Sequence, residues 1–139
     1  MKIIGIDYGD TRTGLAISDA EERLAFSIGA VSAKNIEAAA TLVSNKIIEH
    51  HAQKAVLGLP KNMDGSEGFR AEKTRRFADA LSALHPEMTI DFLDERLTTK
   101  AATFFLNETN TRGKKRKNTV DTVAAQIILQ DYLDQNKNK

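Results

Sequence analysis

Residues 2–18 have the sequence KIIGIDYGDTRTGLAIS, in which an apolar, β-branched run ends in turn-forming residues and a second apolar run follows. An apolar run of this length indicates a buried strand, and the residues after it indicate a tight turn. We therefore predict one strand over residues 2–8 and a second over residues 14–18. A third strand over residues 24–32 would complete a three-stranded antiparallel meander.

Two amphipathic helices are predicted in the middle of the chain. The first covers residues 35–51, where apolar residues recur at intervals of three and four and Asn35 is suited to cap the helix. The second covers residues 67–84 and ends before the pair His85-Pro86. The expected core stripe of this second helix consists of Phe77, Ala80, Leu81 and Leu84.

Two further strands are predicted over residues 55–59 and 89–93. The first of them is continuously apolar and closed by Pro60, which is typical of a strand covered by helices on both faces. The predicted fold class is therefore α/β, with a five-stranded mixed sheet. The meander contributes three antiparallel strands, and residues 55–59 and 89–93 contribute two parallel strands.

The last third of the chain is expected to be helical on either side of a polar segment. Thr98 or Thr99 can cap a short helix. Residues 107–117 contain no apolar side chain, so we predict a mobile loop there. A final helix over residues 119–133 and a disordered tail over residues 134–139 would complete a single domain of 139 residues.

The composition excludes several kinds of chemistry. The chain has no cysteine, which rules out disulfides, thiolate metal sites and cysteine nucleophiles and favours a cytoplasmic location. No apolar run approaches the length of about 20 residues that a membrane span requires. Twenty basic and nineteen acidic residues give a net charge of +1, so only their local distribution is informative.

Three acidic residues stand at positions where the predicted elements could bring them together. Asp7 ends the first strand, on the same face as Gly5, although it could instead form an Asx turn. Glu95 follows the last strand, where it could simply pair with Arg96, and local reasoning alone does not exclude its neighbour Asp94 as the active acid. Asp121 opens the final helix, where it could be a capping acid.

Clustered carboxylates repel one another unless a cation neutralises them. A donor set made only of oxygen atoms suits Mg²⁺ or Mn²⁺, which often take their remaining ligands from substrate phosphates. Such a site can activate water for attack on phosphorus. We therefore predict that Asp7, Glu95 and Asp121 are metal ligands and catalytic residues of a nuclease.

Basic residues are concentrated in two segments that could bind the nucleic-acid backbone. Five of the six residues 112–117 are basic and precede Asp121, although such a run could also serve only solubility. A second group follows the glycines at positions 65 and 68. The expected contacts with nucleic acid are Arg12, Arg70, Lys73, Arg76, Arg96, Arg112, Lys114, Lys115, Arg116 and Lys117.

Four motifs resemble those of the YqgF (RuvX) family, bacterial relatives of Holliday junction resolvases. They are Gly5-Ile6-Asp7-Tyr8-Gly9 with Arg12, Gly14 and Ala16; Val56-Leu57-Gly58-Leu59-Pro60 with Gly65, Gly68 and Ala71; Asp94-Glu95-Arg96-Leu97-Thr98-Thr99; and Asp121 through Ala124-Ala125 to Ile128-Leu129-Gln130. The resemblance covers nearly the whole chain, with the motifs in the family's order and spacing.

The resemblance implies a ribonuclease-H-like fold and divalent-metal nuclease chemistry, with Asp7, Glu95 and Asp121 matching the family's acids. It further implies processing of the 5′ end of pre-16S rRNA in ribosome biogenesis, with ribosomal precursor particles as a candidate partner, or cleavage of branched DNA at a Holliday junction. The wider superfamily often has an acid at the end of the fourth strand. Here Leu59 and Pro60 occupy that place, so the number of metal ions stays open.

Two other kinds of protein are compatible with the sequence. The opening motif also resembles the phosphate-binding loop of actin-like kinases, although these clamp a nucleotide between two such domains. A non-catalytic RNA-binding assembly factor could use the basic segment while the acids serve only as caps. The oligomeric state, monomer or homodimer, is not fixed by the sequence.

Overall fold

Five strands form one mixed sheet in the order β3-β2-β1-β4-β5. The computed structural model describes residues 1–95 and 113–137, with side chains at residues 1–95 and 123–136. Its strands are β1 (Ile3–Asp7), β2 (Arg12–Ser18), β3 (Ala25–Ser32), β4 (Lys54–Leu59) and β5 (Thr89–Asp94). Its helices are α1 (Ile36–His50), α2 (Phe69–Leu84) and α3 (Gly113–Lys137).

The connectivity confirms the predicted meander and the two parallel strands. β1 pairs antiparallel with β2, and β2 pairs antiparallel with β3. β4 pairs parallel with both β1 and β5. The carboxyl ends of β1, β4 and β5 therefore lie at the same edge of the sheet, which is where α/β folds commonly bind ligands.

Helices cover both faces of the sheet, and each face has its own apolar core. Ile4, Ile6 and Leu57 pack with α1 and α2 on one face. Ile3 and Val56 pack with α3 on the other face. Successive residues of a strand point to opposite faces, so Gly5 and Asp7 share the α3 face with Ile3.

α3 lies unusually close to β1. A Cβ atom on Gly5 would be 2.7 Å from Cβ of Leu129 and 3.0 Å from the carbonyl oxygen of Ala125. Real Cβ atoms do not approach other atoms so closely, so any larger residue would force the helix away from the sheet. The glycine inside β1 therefore sets the distance between α3 and the strand that ends in Asp7.

Two glutamine side chains fix α3 along the edge strand β3. Gln130 Oε1 accepts a hydrogen bond of 2.9 Å from the backbone N–H of Ala25, and Gln126 Nε2 donates one of 3.0 Å to the Ala25 carbonyl. Gln130 Nε2 also donates to the carbonyl of Arg23. These bonds satisfy peptide groups at the outer edge of the sheet and prevent α3 from sliding along its axis.

The predicted start of the final helix was wrong. α3 begins at Gly113, so residues 113–117 are helical and not part of a loop. Lysine and arginine favour helices, and the buried face of Ala125 and Leu129 can nucleate a helix that then extends into this polar segment. α3 also continues to Lys137, past the predicted end near Leu133.

The predicted core stripe of α2 was partly wrong. Phe77 and Leu81 are buried, but Leu84 is 50% exposed and Ala80 is only half-buried. The helix instead turns Ala71, Thr74 and Ala78 toward the core. Thr74 can be buried there because its hydroxyl donates a hydrogen bond of 3.0 Å to the Arg70 carbonyl.

The predicted cap of α1 is confirmed, whereas another predicted helix lies outside the described residues. Asn35 caps α1, since its side chain accepts a hydrogen bond from the Ala38 N–H. The helix predicted after Thr98 or Thr99 and residues 138–139 lie outside the described residues. None of the helices in the described ranges combines the length and hydropathy needed to cross a membrane.

Candidate active site

Asp7 ends β1 at the edge of the sheet where β4 and β5 also end. It pairs with Gly14 of β2, and the preceding residue, Ile6, pairs with Leu57 of β4. One step further along the same register, Asp7 stands beside Gly58. Its side chain is half-buried and shares the α3 face of the sheet, as strand parity predicts.

Glu95 is buried on the same face of the sheet. It directly follows β5, and only 9% of its surface is exposed. A Cβ atom on Gly58 would lie 3.2 Å from the Glu95 carboxyl carbon and 2.5 Å from Ile128 Cδ1. The Glu95 carboxyl group therefore occupies the space above Gly58, the β4 residue next to Asp7.

Gly58 is a residue beside the candidate acids that the sequence analysis did not single out for the site. Because Gly58 has no side chain, the Glu95 carboxyl group can extend over β4 toward β1. Adjacent strands are about 4.8 Å apart, so β1 and β5 are separated by roughly 10 Å and Glu95 spans part of that distance. The signal was present, since a glycine inside an apolar strand often marks a close approach.

Asp94 is directed away from Asp7 and Glu95. Asp94 follows Leu93, whose side chain belongs to the core beneath α3, and successive residues of a strand point to opposite faces. By parity it shares a face with Ile90, which packs against the core beneath α1 and α2. The strand register therefore favours Glu95 over Asp94 as the site acid, a choice that the local sequence left open.

Asp121 lies within α3, eight residues after the start of that helix at Gly113. The capping alternative required this acid to stand in the first turn, and the first turn of α3 contains no acid. Position 121 is one helical turn before Ala125, whose carbonyl contacts Gly5. The side chain of Asp121 lies outside the described part of the chain.

The donor set fits a hard divalent cation. Asp7 and Glu95 offer carboxylate oxygens, which Mg²⁺ and Mn²⁺ prefer. Among the described side chains, no group of three or more histidine, cysteine or acidic residues could hold a metal ion. A third protein ligand would therefore have to come from a residue whose side chain is not described, such as Asp121.

The predicted nucleic-acid contacts on α2 differ in their ion pairing. Arg76 Nη2 is 2.7 Å from Glu72, and Lys73 Nζ is 3.0 Å from Asp10 Oδ1. Arg70 is exposed and has no ion pair among the described residues. Arg70 is thus the α2 cation whose charge is least compensated locally.

The other predicted nucleic-acid contacts lie in β2, in α3 or outside the described residues. Arg12 begins β2 and is half-buried. Lys114, Lys115, Arg116 and Lys117 belong to the first turns of α3, and their side chains lie outside the described residues. Arg96 and Arg112 lie there entirely. The basic segment is therefore carried on a helix that leads directly to Asp121.

Two solved structures share this arrangement of strands and helices. A Thermus thermophilus RuvC "in complex with Holliday junction substrate" aligns over 100% of this chain and 97% of its own, with a TM-score of 0.63 and 14% identity. A Fowlpox virus resolvase in a "substrate Holliday junction DNA complex" aligns over 98% of this chain and 99% of its own, with a TM-score of 0.60 and 12% identity. The fold is that of the ribonuclease-H-like resolvases.

The sequence comparison is more specific. The family model of RuvX, described as "Holliday junction resolvase", matches residues 1–135. A Halothermothrix orenii protein named "Putative pre-16S rRNA nuclease" is 44% identical over 99% of this chain and 98% of its own length. A Myxococcus xanthus protein of the same name is 42% identical over 96% and 88%. The chain belongs to the RuvX family, whose members are nucleases that hydrolyse phosphodiester bonds.

Proposed function

We propose that this protein is a divalent-metal-dependent nuclease that processes the 5′ end of pre-16S rRNA in the cytoplasm, with Asp7, Glu95 and Asp121 as metal ligands and catalytic residues. The observation that carries the proposal is the buried Glu95 carboxyl group above Gly58, beside the strand end that bears Asp7. Carboxylate oxygens of this kind are the ligands that Mg²⁺ and Mn²⁺ prefer.

The three acids come from separate elements of the fold. Asp7 is fixed by the central strand β1, and Glu95 by the end of β5. Asp121 is carried by α3, whose approach to the sheet is set by Gly5. Mg²⁺ or Mn²⁺ bound by these acids would supply an activated water and stabilise the leaving oxygen.

The names of the relatives support ribosomal RNA as the substrate. The two sequence relatives reported above are named for pre-16S rRNA, and this chain covers 98% and 88% of their lengths. A ribosomal precursor particle is then the natural partner. The basic first turns of α3 and the exposed Arg70 provide positive charge for the RNA backbone.

Cleavage of branched DNA is the second candidate, because the matching family is described as "Holliday junction resolvase". A junction has two strands to cut, so a resolvase needs two symmetric active sites and a homodimer, whereas an end-processing nuclease can act as a monomer. The mass of the protein in solution, measured with and without substrate, therefore discriminates between the candidates.

The decisive experiment incubates the purified chain with a pre-16S fragment and with a four-way DNA junction, each with Mg²⁺ or Mn²⁺. We expect cleavage of the RNA fragment that is abolished by EDTA and reduced at least 100-fold by Asp7→Asn, Glu95→Gln or Asp121→Asn, on the order of the loss when a charge-stabilising group is removed. Asp94→Asn, on the opposite face of β5, is the matched control and should cleave normally.

The outcomes separate the alternatives. Cleavage of the junction alone would assign the protein to DNA recombination. RNA binding without any cleavage would indicate a non-catalytic assembly factor. Full metal-dependent cleavage by the Asp7 and Asp121 variants would remove these acids from the active site.

A further inference from the structure

An exposed aromatic ring stands beside a lysine at the start of α2. Phe69 is the first residue of this helix, and 69% of its surface is exposed. A single exposed apolar residue is common on protein surfaces and needs no function. This ring is different because Lys73 Nζ lies 4.5 Å from its centre and Arg70 is its neighbour in the chain.

The group adjoins the carboxyl end of β1. Arg70 and Lys73 line a small cleft together with Tyr8 and Gly9, the two residues that follow Asp7. Lys73 also bridges α2 to the turn after β1 through its ion pair with Asp10. The aromatic ring therefore lies one helical turn before Lys73, the residue that connects α2 to the turn after Asp7.

The charges around the ring favour a phosphate backbone. Lys73 compensates the carboxylate of Asp10, which would otherwise repel an anion. Arg70 has no ion pair among the described residues, whereas Arg75 forms a two-bond pair with Glu67 at 2.6 and 2.8 Å. Of these α2 cations, Arg70 is thus the one without an ion pair among the described residues, and it lines the cleft together with Lys73.

We propose that Phe69 is a stacking platform for an unpaired base of the nucleic-acid substrate, with Arg70 and Lys73 binding the flanking phosphates. This inference rests on the proposed function, which makes nucleic acid the substrate. Every base has a π face, so an aromatic ring beside cations binds single strands with little dependence on sequence. Bases inside a duplex stack on one another and cannot present that face, so the substrate is a strand left unpaired beside the scissile bond.

Binding measured without cleavage tests the platform. The full chain is titrated against a labelled single-stranded RNA and against a blunt RNA duplex of the same sequence, with Ca²⁺ in place of Mg²⁺. We expect Phe69→Ala to weaken single-strand binding about tenfold, as the loss of one stacked base does, and to leave duplex binding unchanged. Phe69→Trp should retain the wild-type affinity because it keeps a stacking ring.

Leu84→Ala is the matched control. Leu84 is the last residue of the same helix and is 50% exposed, about 22 Å away at the rise of 1.5 Å per residue. Its replacement should change neither affinity. Wild-type single-strand binding by Phe69→Ala, or an equal loss for strand and duplex, would overturn the proposal.

The same proteins distinguish this proposal from the proposed function. If Asp7→Asn still cleaves RNA while Phe69→Ala loses single-strand binding, the assignment of the acids fails and the stacking platform stands. If Asp7→Asn is inactive and Phe69→Ala binds normally, the nuclease assignment stands and the platform fails.

Discussion

Gly58 and the carboxyl group of Glu95 are in such close contact that a Cβ atom on the glycine would lie 3.2 Å from the carboxyl carbon. The glycine is therefore part of the geometry of the candidate active site although it has no functional group. Because Gly58 has only a hydrogen atom in place of a side chain, the buried carboxyl group of Glu95 has room to extend over the strand. A role of this kind can be tested separately from the chemistry of the acid itself.

We expect Gly58→Ala to lower cleavage strongly while the protein stays folded. The added methyl group would stand 2.5 Å from Ile128 Cδ1 as well as crowding Glu95, and such overpacking costs about 1–3 kcal/mol of stability. Gly58→Ala/Ile128→Val removes the Cδ1 atom and should recover thermal stability but not activity. Thermal melting and cleavage rates, measured on the same samples, check both expectations.

Gly68→Ala is the control for Gly58→Ala. A Cβ atom at Gly68 would meet only Asn62, at 3.5 Å or more, so the substitution should be tolerated. Recovery of full activity in Gly58→Ala/Ile128→Val would mean that crowding of Glu95 has no influence on the chemistry.

We expect Gly5→Ala to destabilise the fold more than Gly58→Ala. The added Cβ would meet Leu129 Cβ at 2.7 Å and the Ala125 carbonyl oxygen at 3.0 Å, so the helix backbone has to move. The cost should reach the upper part of the range of about 1–3 kcal/mol for overpacking. Leu129→Ala retains its Cβ atom and should not rescue the variant, which urea unfolding can measure. Rescue would show that the helix backbone is not the limiting contact.

Tyr132 should stabilise the fold through Asp91. Its hydroxyl donates a hydrogen bond of 2.5 Å to Asp91 Oδ2, and this bond, followed by the Lys54 contact at 3.2 Å, holds the pKa of Asp91 below its usual value. Tyr132→Phe should therefore lower the free energy of unfolding by about 0.5–1.5 kcal/mol at neutral pH. Partial exposure of Asp91 places the expected loss toward the lower value.

The pH dependence of this loss follows from the direction of the shift. An acid whose folded pKa is lowered stabilises the protein above its unfolded pKa of about 3.9 and loses that contribution as pH falls through the folded pKa. The difference between wild type and Tyr132→Phe should therefore be full at neutral pH and shrink in strong acid. Tyr8→Phe is the control, because the Tyr8 hydroxyl forms no hydrogen bond with the part of the chain that the structure describes. A difference that grows on acidification would contradict the assignment.

The basic start of α3 should contribute electrostatic affinity for nucleic acid. Replacing Lys114, Lys115, Arg116 and Lys117 by glutamine should weaken RNA binding and make its salt dependence shallower, by about 0.7 in log–log slope for each lost contact with a single strand. Titrations at several salt concentrations measure the slope. The control is Lys46→Gln, which neutralises a lysine near the C-terminal end of α1. An unchanged slope would mean that the segment does not contact phosphate.

Local sequence predicted most of the strands because burial on both faces requires continuous apolar runs. The local sequence did not predict features that depend on tertiary packing, namely the buried face of α2 and the start of α3. Thr74 faces the core because its hydroxyl is satisfied within the helix, and this rotates Leu84 out to solvent. The start of α3 was also missed, since residues 113–117 have no apolar periodicity and become helical as an extension of the buried part of α3.

The same reasoning separates the acids. Strand parity predicted that Asp7 shares the face of Gly5, and the regular pairing of β1 with β2 up to Asp7 is consistent with this prediction. Parity could not choose between Asp94 and Glu95, because the choice depends on where β5 lies relative to α3. The position of the Glu95 carboxyl group above Gly58 favours Glu95, and no local pattern contains that information.

α3 is long enough that contacts in its C-terminal half can affect the position of residue 121, one of the proposed catalytic acids. The helix is anchored near Gln130 and Tyr132, while residue 121 lies roughly 12 Å further along its axis from Leu129. A tilt of about 5° at the anchor would displace that residue by roughly 1 Å, and a misplacement of this size can reduce a rate about 100-fold. On warming, enzymatic turnover should consequently fail at a lower temperature than the cooperative melting of the sheet.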